Sequence, residues 1–427
     1  MKKLIQKVFC LLARLCILRH KPFVIGVTGS FWKTTARHVV TEILKRAGRD
    51  VWSPEWNYNG EWWLAFSVLQ IRSGWHRPLA WIRMFFSALF TIARRHYPRI
   101  LVLEYGVDHE GEMNIQIDIV EPDVALFTKL SPSHTQWFGS IELYYAEKEK
   151  LLRRKNKNTY AIGNADDIHQ ADFVCQSWYG HDAKKSDLVI SQITEHPDGT
   201  EMDFDFGWQT YHIVSPILGS HHAGILAGAF LVSLQVNISP LDAISFLRHI
   251  HLPHARGNVL KWLHESLVID GTYNGGFDPI VAGVEMLCRL AQTEWRKTIA
   301  LLGDMRELGA LERERHEELW GKLRTFPIDH YIFVGAVSSE VIQPLIDEKW
   351  KEKTFFTLDS RVAGEYIRTL LANDPEKYLL FAKGSQNTIY LEEALKCFIF
   401  PEEYLKLVRQ EDLYVRKKWD FYKMLEI

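Results

Sequence analysis

No run of eighteen or more uncharged apolar residues occurs in this chain of 427 residues, so no segment reads as a bilayer-spanning helix. Cysteine is scarce and scattered. Cys10, Cys16, Cys175, Cys288 and Cys397 show no metal-ligand spacing, and their odd number gives no complete disulfide framework, so a reducing cytoplasm is the expected setting. Internal repeats and low-complexity segments are absent too, which excludes solenoids and propellers. The opening MKKLIQKVFCLLARLCILRHKP is basic with an apolar middle, but Arg14 interrupts that middle and no small-residue cleavage site follows. Residues 1–20 therefore read as an amphipathic helix suited to peripheral membrane contact or to packing, not as a signal peptide. Acidic residues are few at this end: the first hundred residues carry seventeen Lys/Arg against four Asp/Glu, although the whole chain has a net charge of −2. Such an excess can meet phosphates, anionic lipid or nucleic acid, or form a solvated face.

What is present points to a globular protein of two or three domains, with 47% hydrophobic and 24% charged residues. The most informative stretch is GVTGSFWKTTA, Gly26 to Ala36, between the strand-like run Phe23-Val24-Ile25 and a helix-like one. It has the pattern of a phosphate-binding loop. Gly26 and Gly29, with Thr28 and Ser30 among them, would let backbone N–H groups close around a polyphosphate. Lys33 would reach the terminal phosphates, and Thr34 and Thr35 would offer hydroxyls to Mg²⁺. Trp32 stands where a glycine normally precedes the lysine.

Beyond this loop, buried-strand runs at Ile100 to Glu104, Val124 to Thr128 and Tyr160 to Gly163 alternate with helical patterns, as in a mostly parallel sheet. From Asp187 to Val214 the pattern turns to alternating strands about Pro197-Asp198-Gly199, an antiparallel flap or edge on the same domain. The segment Phe66 to Tyr97 reads as two helices broken near Ser73-Gly74 and Pro78. A junction at Leu252 to Asn258 separates this central domain, residues 21–251, from a second one, 252–427. There the strand–helix rhythm restarts as a doubly wound, Rossmann-like unit. The expected class is α/β: a phosphate-loop domain with a mostly parallel sheet, followed by that unit.

Further motifs are LEYGVDHEGEM (103–113), SPSHTQWFGS with a lysine-rich helix after it, GNADD (163–167), DGTYNGGFDP (270–279), LLGDMRELG (301–309) and KGS (383–385). On these, from about residue 22 to the C-terminus, the chain resembles the Mur ligases, ATP-dependent amide-forming enzymes of peptidoglycan precursor synthesis, and above all the branch that adds D-alanyl-D-alanine. The resemblance implies ATP and Mg²⁺ as cofactors, with Glu104, Thr34 and His134 as metal ligands. It implies that Lys148 is carbamylated so that it too meets metal, with Lys150 a competing candidate. Asn164 and Asp270 would hold the nucleotide, and Arg256 would approach its phosphates. Asn57, Asn59, Tyr273, Asn274, Lys383 and Ser385 would meet substrate, a small peptidoglycan precursor and a D-amino-acid dipeptide. GDMRELG and His316 would lie near the active cleft. Catalysis would rest on Lys33, Lys148, Arg256 and His134 in a cytoplasmic monomer that needs no nucleic acid.

The chain departs from the family pattern at Trp32 and at Trp63 in NYNGEWW, two positions where glycine serves close approach to ligand. Lys129, His222 and Ile225 replace asparagines, and Gly275-Gly276-Phe277 replaces the usual Ala-Asn-Pro. The family's N-terminal UDP-gripping domain has the basic opening in its place. Two rival readings stay open: a scaffold whose phosphate loop Trp32 has closed, and a ligase for another substrate, such as a folate or an amino-acid polymer.

Overall fold

The computed structural model describes residues 2–54, 63–71, 78–131, 138, 140–152, 159–262, 265–306, 308–374, 376–385 and 388–425. The chain divides into two compact units. Met1–Ile193, Glu201–Ser215 and His222–Ile250 form the first, and Thr194–Thr200, Pro216–His221 and His251–Ile427 the second.

Strands β1 (Phe23–Thr28), β2 (Val51–Trp52), β3 (Ile100–Glu104), β4 (Val124–Phe127), β5 (Tyr160–Asn164), β6 (Ser177–Gly180), β7 (Leu188–His196), β8 (Gly199–Phe206) and β9 (Gln209–Ser215) make one sheet in the order β2-β3-β1-β4-β5-β6-β7-β8-β9. From β2 to β7 every pairing is parallel; Val24 sits beside Leu101, and Ile25 beside Val124. The last three strands are joined by two-residue turns and so run antiparallel. A parallel sheet must be covered on both faces, which is why β1, β3 and β4 are almost wholly buried apolar runs. Val24, Leu101, Leu103 and Phe127 face a core cluster shared with the helices Lys2–His20, Trp63–Leu69 and Pro78–Ala93. The helices Lys33–Arg46 and Ala223–Gln235 pack on one another and against the sheet.

The N-terminal helix is thus no separate appendage. Phe9, Leu12, Ala13 and Cys16 are buried in that cluster, Phe9 edge-on to Phe66 at 5.1 Å.

In the second unit, β10 (Asn258–Lys261), β11 (Leu267–Asp270), β12 (Lys297–Gly303), β13 (His330–Val334), β14 (Thr354–Thr357) and β15 (Tyr378–Lys383) form a sheet in the order β10-β11-β15-β12-β13-β14. All pairings are parallel except the antiparallel edge strand β10. Helices Phe277–Glu294 and Glu312–Leu323 cover one face, and Ser360–Ala372 and Leu391–Leu395 the other, around two separate apolar clusters. This is the doubly wound arrangement expected from the strand–helix rhythm. Its junction differs in detail, since Asn258, expected to end the linker, opens β10.

Candidate active site

Strand order reverses at β1, which has β3 on one side and β4 on the other, so the carboxyl ends of these strands bound the crevice where open α/β sheets bind ligands. The loop Gly29–Trp32 leaves β1 here. Gly29 has φ +141°, and a Cβ on it would lie 1.9 Å from the Thr128 hydroxyl, so only glycine fits. Ser30 N–H donates to the Lys129 carbonyl at 2.8 Å, and Thr128 Oγ1 donates to the Phe31 carbonyl at 2.7 Å, tying the loop to the segment after β4. Trp32, at φ 64° and ψ 6°, adopts the left-handed conformation that a glycine would supply. The helix Lys33–Arg46 starts after it with neither a side-chain cap nor an acidic residue in its first turn. Such an end presents unpaired N–H groups and positive potential to an anion. Gly26 and Thr28, by contrast, lie within β1. A Cβ on Gly26 would meet the Tyr105 ring at 2.8 Å, and the Thr28 hydroxyl donates to the Tyr105 carbonyl at 2.8 Å, so both also serve strand packing.

Around the loop stands a buried cluster of charges. Thr34 Oγ1 donates to Glu104 Oε2 at 3.0 Å, and the Arg37 guanidinium lies 3.7 Å from the same oxygen. Lys33 Nζ donates to the Ser30 carbonyl at 2.9 Å, so the lysine curls over its own loop. Lys148 is 1% exposed, its ammonium 4.6 Å from the centre of the Tyr144 ring. The Tyr144 hydroxyl donates in turn to Ser30 Oγ at 3.1 Å. Burial pushes the Lys148 amine down to about 8, against the attraction of Asp108, Glu104, Glu147 and Glu112. Burial and then the charge of Lys148 also hold the Lys33 amine below its usual value. Lys150, the competing candidate, is instead partly exposed and paired with Glu147 at 2.5 Å. Thr35 is buried in the helix. Asn164 ends β5, with its Oδ1 accepting from Asp166 N–H. His134, Asn57 and Asn59 lie outside the described residues.

A hard divalent cation takes one or two carboxylates and fills its remaining positions with phosphate oxygens and water. The paired hydroxyl and carboxylate of Thr34 and Glu104 fit that need. Among the described residues no cluster of three or more His, Cys, Asp or Glu could form a cage of its own.

In the second unit, Asp270 ends β11 fully buried. Its Oδ1 accepts from Thr272 N–H and Oγ1, while Oδ2 has no hydrogen-bond partner among the described residues. Burial pushes this carboxyl up to about 6. Lys383 ends β15 and donates to the Gly271 carbonyl at 3.4 Å; burial pushes its amine down to about 8, and the Arg256 guanidinium adds to the effect. Arg256 lies over the Tyr273 ring at 4.2 Å. Asn274 Oδ1 accepts from Gly275 N–H, and Ser385 Oγ accepts from Arg306 N–H. The buried Asp304 receives the N–H groups of Val337 and Ser338 and the Ser338 hydroxyl. His316 accepts from Met305 N–H and is bonded to the Glu312 carbonyl. The GDMRELG motif is therefore fastened from both sides by its own aspartate and by that histidine.

Residues 27–232 match the Mur ligase middle domain. That stretch of the chain is a Mur ligase middle domain, and the chain as a whole is similar to Mur ligases. Its relatives include the UDP-N-acetylmuramoyl-tripeptide--D-alanyl-D-alanine ligases of Haemophilus influenzae, 23% identical over 398 residues, and Bacillus subtilis, 25% identical over 377. These alignments take in 89% and 88% of this chain and 79% and 76% of the relatives. The fold is similar to that of MurF from Acinetobacter baumannii, with TM-score 0.76 and 20% identity over 92% of this chain and 80% of that one. It is similar also to MurF from Thermotoga maritima in complex with ADP, with TM-score 0.72 and 20% identity over 94% and 84%.

Sequence reasoning missed two parts of this arrangement. Arg37 beneath Glu104 lies one helical turn after Lys33, a spacing that could have pointed to it. The other is a buried ion network: Arg409 donates to both carboxylate oxygens of Glu392 and to the Thr272 and Tyr273 carbonyls, and Lys418 lies 2.9 Å from Glu392. It fixes the turn that carries Tyr273, and no motif marks it.

Proposed function

We propose that this chain is an ATP-dependent ligase that joins D-alanyl-D-alanine to the peptide carboxylate of a cytoplasmic peptidoglycan precursor. One observation supports the reading: Lys33, Thr34, Glu104 and Lys148 converge on a loop in which Trp32 takes the left-handed backbone conformation open to glycine. The two substrates are taken from the names of the relatives.

The precursor carboxylate attacks the γ-phosphorus of ATP, and the bond from that phosphorus to the bridging oxygen breaks as ADP leaves. The dipeptide amine then attacks the acyl carbon, phosphate departs, and the amine loses a proton as the amide forms. Lys33 and the backbone N–H groups of the first helical turn hold the phosphates and oppose the charge gathering on the transferring group. Mg²⁺ bound by Thr34 and Glu104, with His134 as a further ligand, would neutralise phosphate charge. Lys148, with its lowered basicity, is suited to carbamylation, which turns a buried cation into a carboxylate. In the second unit Asp270 is assigned to the ribose, Arg256 to phosphate charge, and Tyr273, Asn274, Lys383 and Ser385 to substrate. The protein acts as a monomer.

Phosphate release from ATP and Mg²⁺ tests this, measured with and without UDP-linked muramoyl tripeptide and D-alanyl-D-alanine. Release should require both substrates and vanish in Lys33→Ala and Glu104→Ala. Turnover by either variant at the wild-type rate would remove the assigned site. A folded wild-type protein inert with this pair would remove the substrate assignment.

A further inference from the structure

The helices Lys2–His20 and Pro78–Ala93 lie side by side. The Phe9 and Trp81 rings are 6.0 Å apart, and His20 Nε2 is 3.3 Å and 3.1 Å from the Thr91 and Ile92 carbonyls. Both helices bury one face in the same core cluster, through Phe9, Leu12, Ala13 and Cys16 from one and Met84 and Ala88 from the other. Their opposite faces therefore both look outward, and those faces are apolar. On the first helix Leu4, Leu11, Leu15 and Leu18 recur at intervals of seven, four and three, which makes one stripe; Leu4 and Leu18 are each 68% exposed. On the second, Ile82, Phe85, Phe86, Leu89 and Phe90 are exposed, Phe86 to 64% and Phe90 to 71%. Monomeric soluble proteins rarely leave so many large apolar side chains together in water.

Charge decides what would cover this face. Lys7 and Arg14 flank the leucine stripe on one side and Arg19 on the other, while Arg83 and Arg95 are exposed on and just beyond the second helix. No Asp or Glu occurs in residues 2–41 or 62–103. Among the described residues, acidic groups reach this face from neighbouring elements: Asp118, 3.5 Å from Arg14, and Asp50, 3.9 Å from His96. A second copy docked about a two-fold axis would set these cations against their own images. An anionic surface matches them. No helix among the described residues is long and apolar enough to cross a membrane, so the fit is to lying at its surface.

We propose that the outward faces of Lys2–His20 and Pro78–Ala93 together form a docking surface for an anionic lipid bilayer. The leucines and phenylalanines enter the boundary between headgroups and acyl chains, and the flanking Lys and Arg side chains reach up to the headgroups. This holds whether or not the ligase reading does, since none of these residues belongs to the site described above.

Co-sedimentation with phosphatidylcholine vesicles, with and without phosphatidylglycerol, tests the surface. The wild-type chain should sediment with the anionic vesicles, not the neutral ones, and release as salt rises. Phe86→Glu/Phe90→Glu and, separately, Lys7→Glu/Arg83→Glu should each weaken binding by about tenfold or more, at about 1 kcal/mol for each basic residue near the surface. All four positions are exposed, and an unchanged melting temperature confirms the fold of each variant. Failure of the wild type to sediment at low salt, or equal binding to neutral vesicles, would overturn the proposal. So would wild-type affinity in both double variants. A concentration-dependent rise in mass, lost in Phe86→Glu/Phe90→Glu and unaccompanied by vesicle binding, would assign the face to a second copy instead.

Discussion

Replacing Lys148 with methionine should make this protein more stable at neutral pH while ending its turnover. The amine falls from its ordinary 10.5 to about 8 on folding. At about 1.4 kcal/mol per unit, keeping it protonated in the folded state costs roughly 3 kcal/mol. Solvent gives little relief, because the side chain is 1% exposed. Methionine fills a similar volume without charge but forfeits the contact with the Tyr144 ring, worth up to about 2 kcal/mol, so the net gain is about 1 to 3 kcal/mol. The sign with pH is fixed by linkage. Below pH 8 both folded and unfolded chains hold the proton and the wild type bears the whole penalty. Between pH 8 and 10.5 the folded amine is neutral while the unfolded one still binds a proton, so wild-type stability recovers. Urea melts of wild type and Lys148→Met in bicarbonate-free buffer, at about pH 7 and about pH 10, should show a gap that narrows as pH rises. A less stable variant at neutral pH, or a gap that stays constant across that window, would refute the reasoning.

Glu392→Gln leaves Arg409 buried without its carboxylate, and Lys418 with that of Glu393 alone, and should cost roughly 3–5 kcal/mol in a thermal melt; a loss below about 1 kcal/mol would show that the network is not stabilising. Burial alone would raise the Glu392 carboxyl, but Arg409 and Lys418 outweigh it and hold the group below its usual value, so its contribution is present above pH 4.5 and fades as pH falls further. Gly29→Ala forces a Cβ into the Thr128 hydroxyl at a positive φ and should cost about 2 kcal/mol or more in stability, together with nucleotide affinity; a neutral melt would mean that the loop moves freely. Trp32→Gly relieves about 1 kcal/mol of left-handed strain and returns a comparable amount as chain entropy, so stability should change little and phosphate release should be at least as fast. A collapse of turnover in that variant would mean that the indole itself contacts substrate.

The buried parallel strands were readable nearly residue for residue. Ile100–Glu104 appears where its run was read, because a strand covered on both faces has few polar positions to blur its limits. The edge strand β10 was hidden by its polar ends, Asn258 and Lys261, and β6 by its brevity and a composition, SWYG, without an apolar run. The convergence of Lys33, Thr34 and Glu104 followed from a loop spelling and a strand end, both local in sequence. Tyr144 and Asp108 join them through the order of strands in the sheet, which spacing along the chain does not encode, whereas Arg37, one helical turn after Lys33, was within reach of a spacing argument. Gly26 and Thr28, spelled as part of the loop, lie at the end of β1, packed on the Tyr105 ring and bonded to its carbonyl.

The first helix constrains how this protein can be dissected. Its inner side chains close the core over Phe66 and Tyr97, through Phe9 and through the stacking of His20 on the Tyr97 ring at 4.6 Å. A chain trimmed to begin at β1 would bare those rings and misfold or aggregate, whatever its outer surface does. A deletion phenotype at this end would report on foldability alone. Substitutions confined to the outer face, such as Lys7→Glu/Arg83→Glu, leave the inner seam intact and so separate where the protein resides from whether it exists.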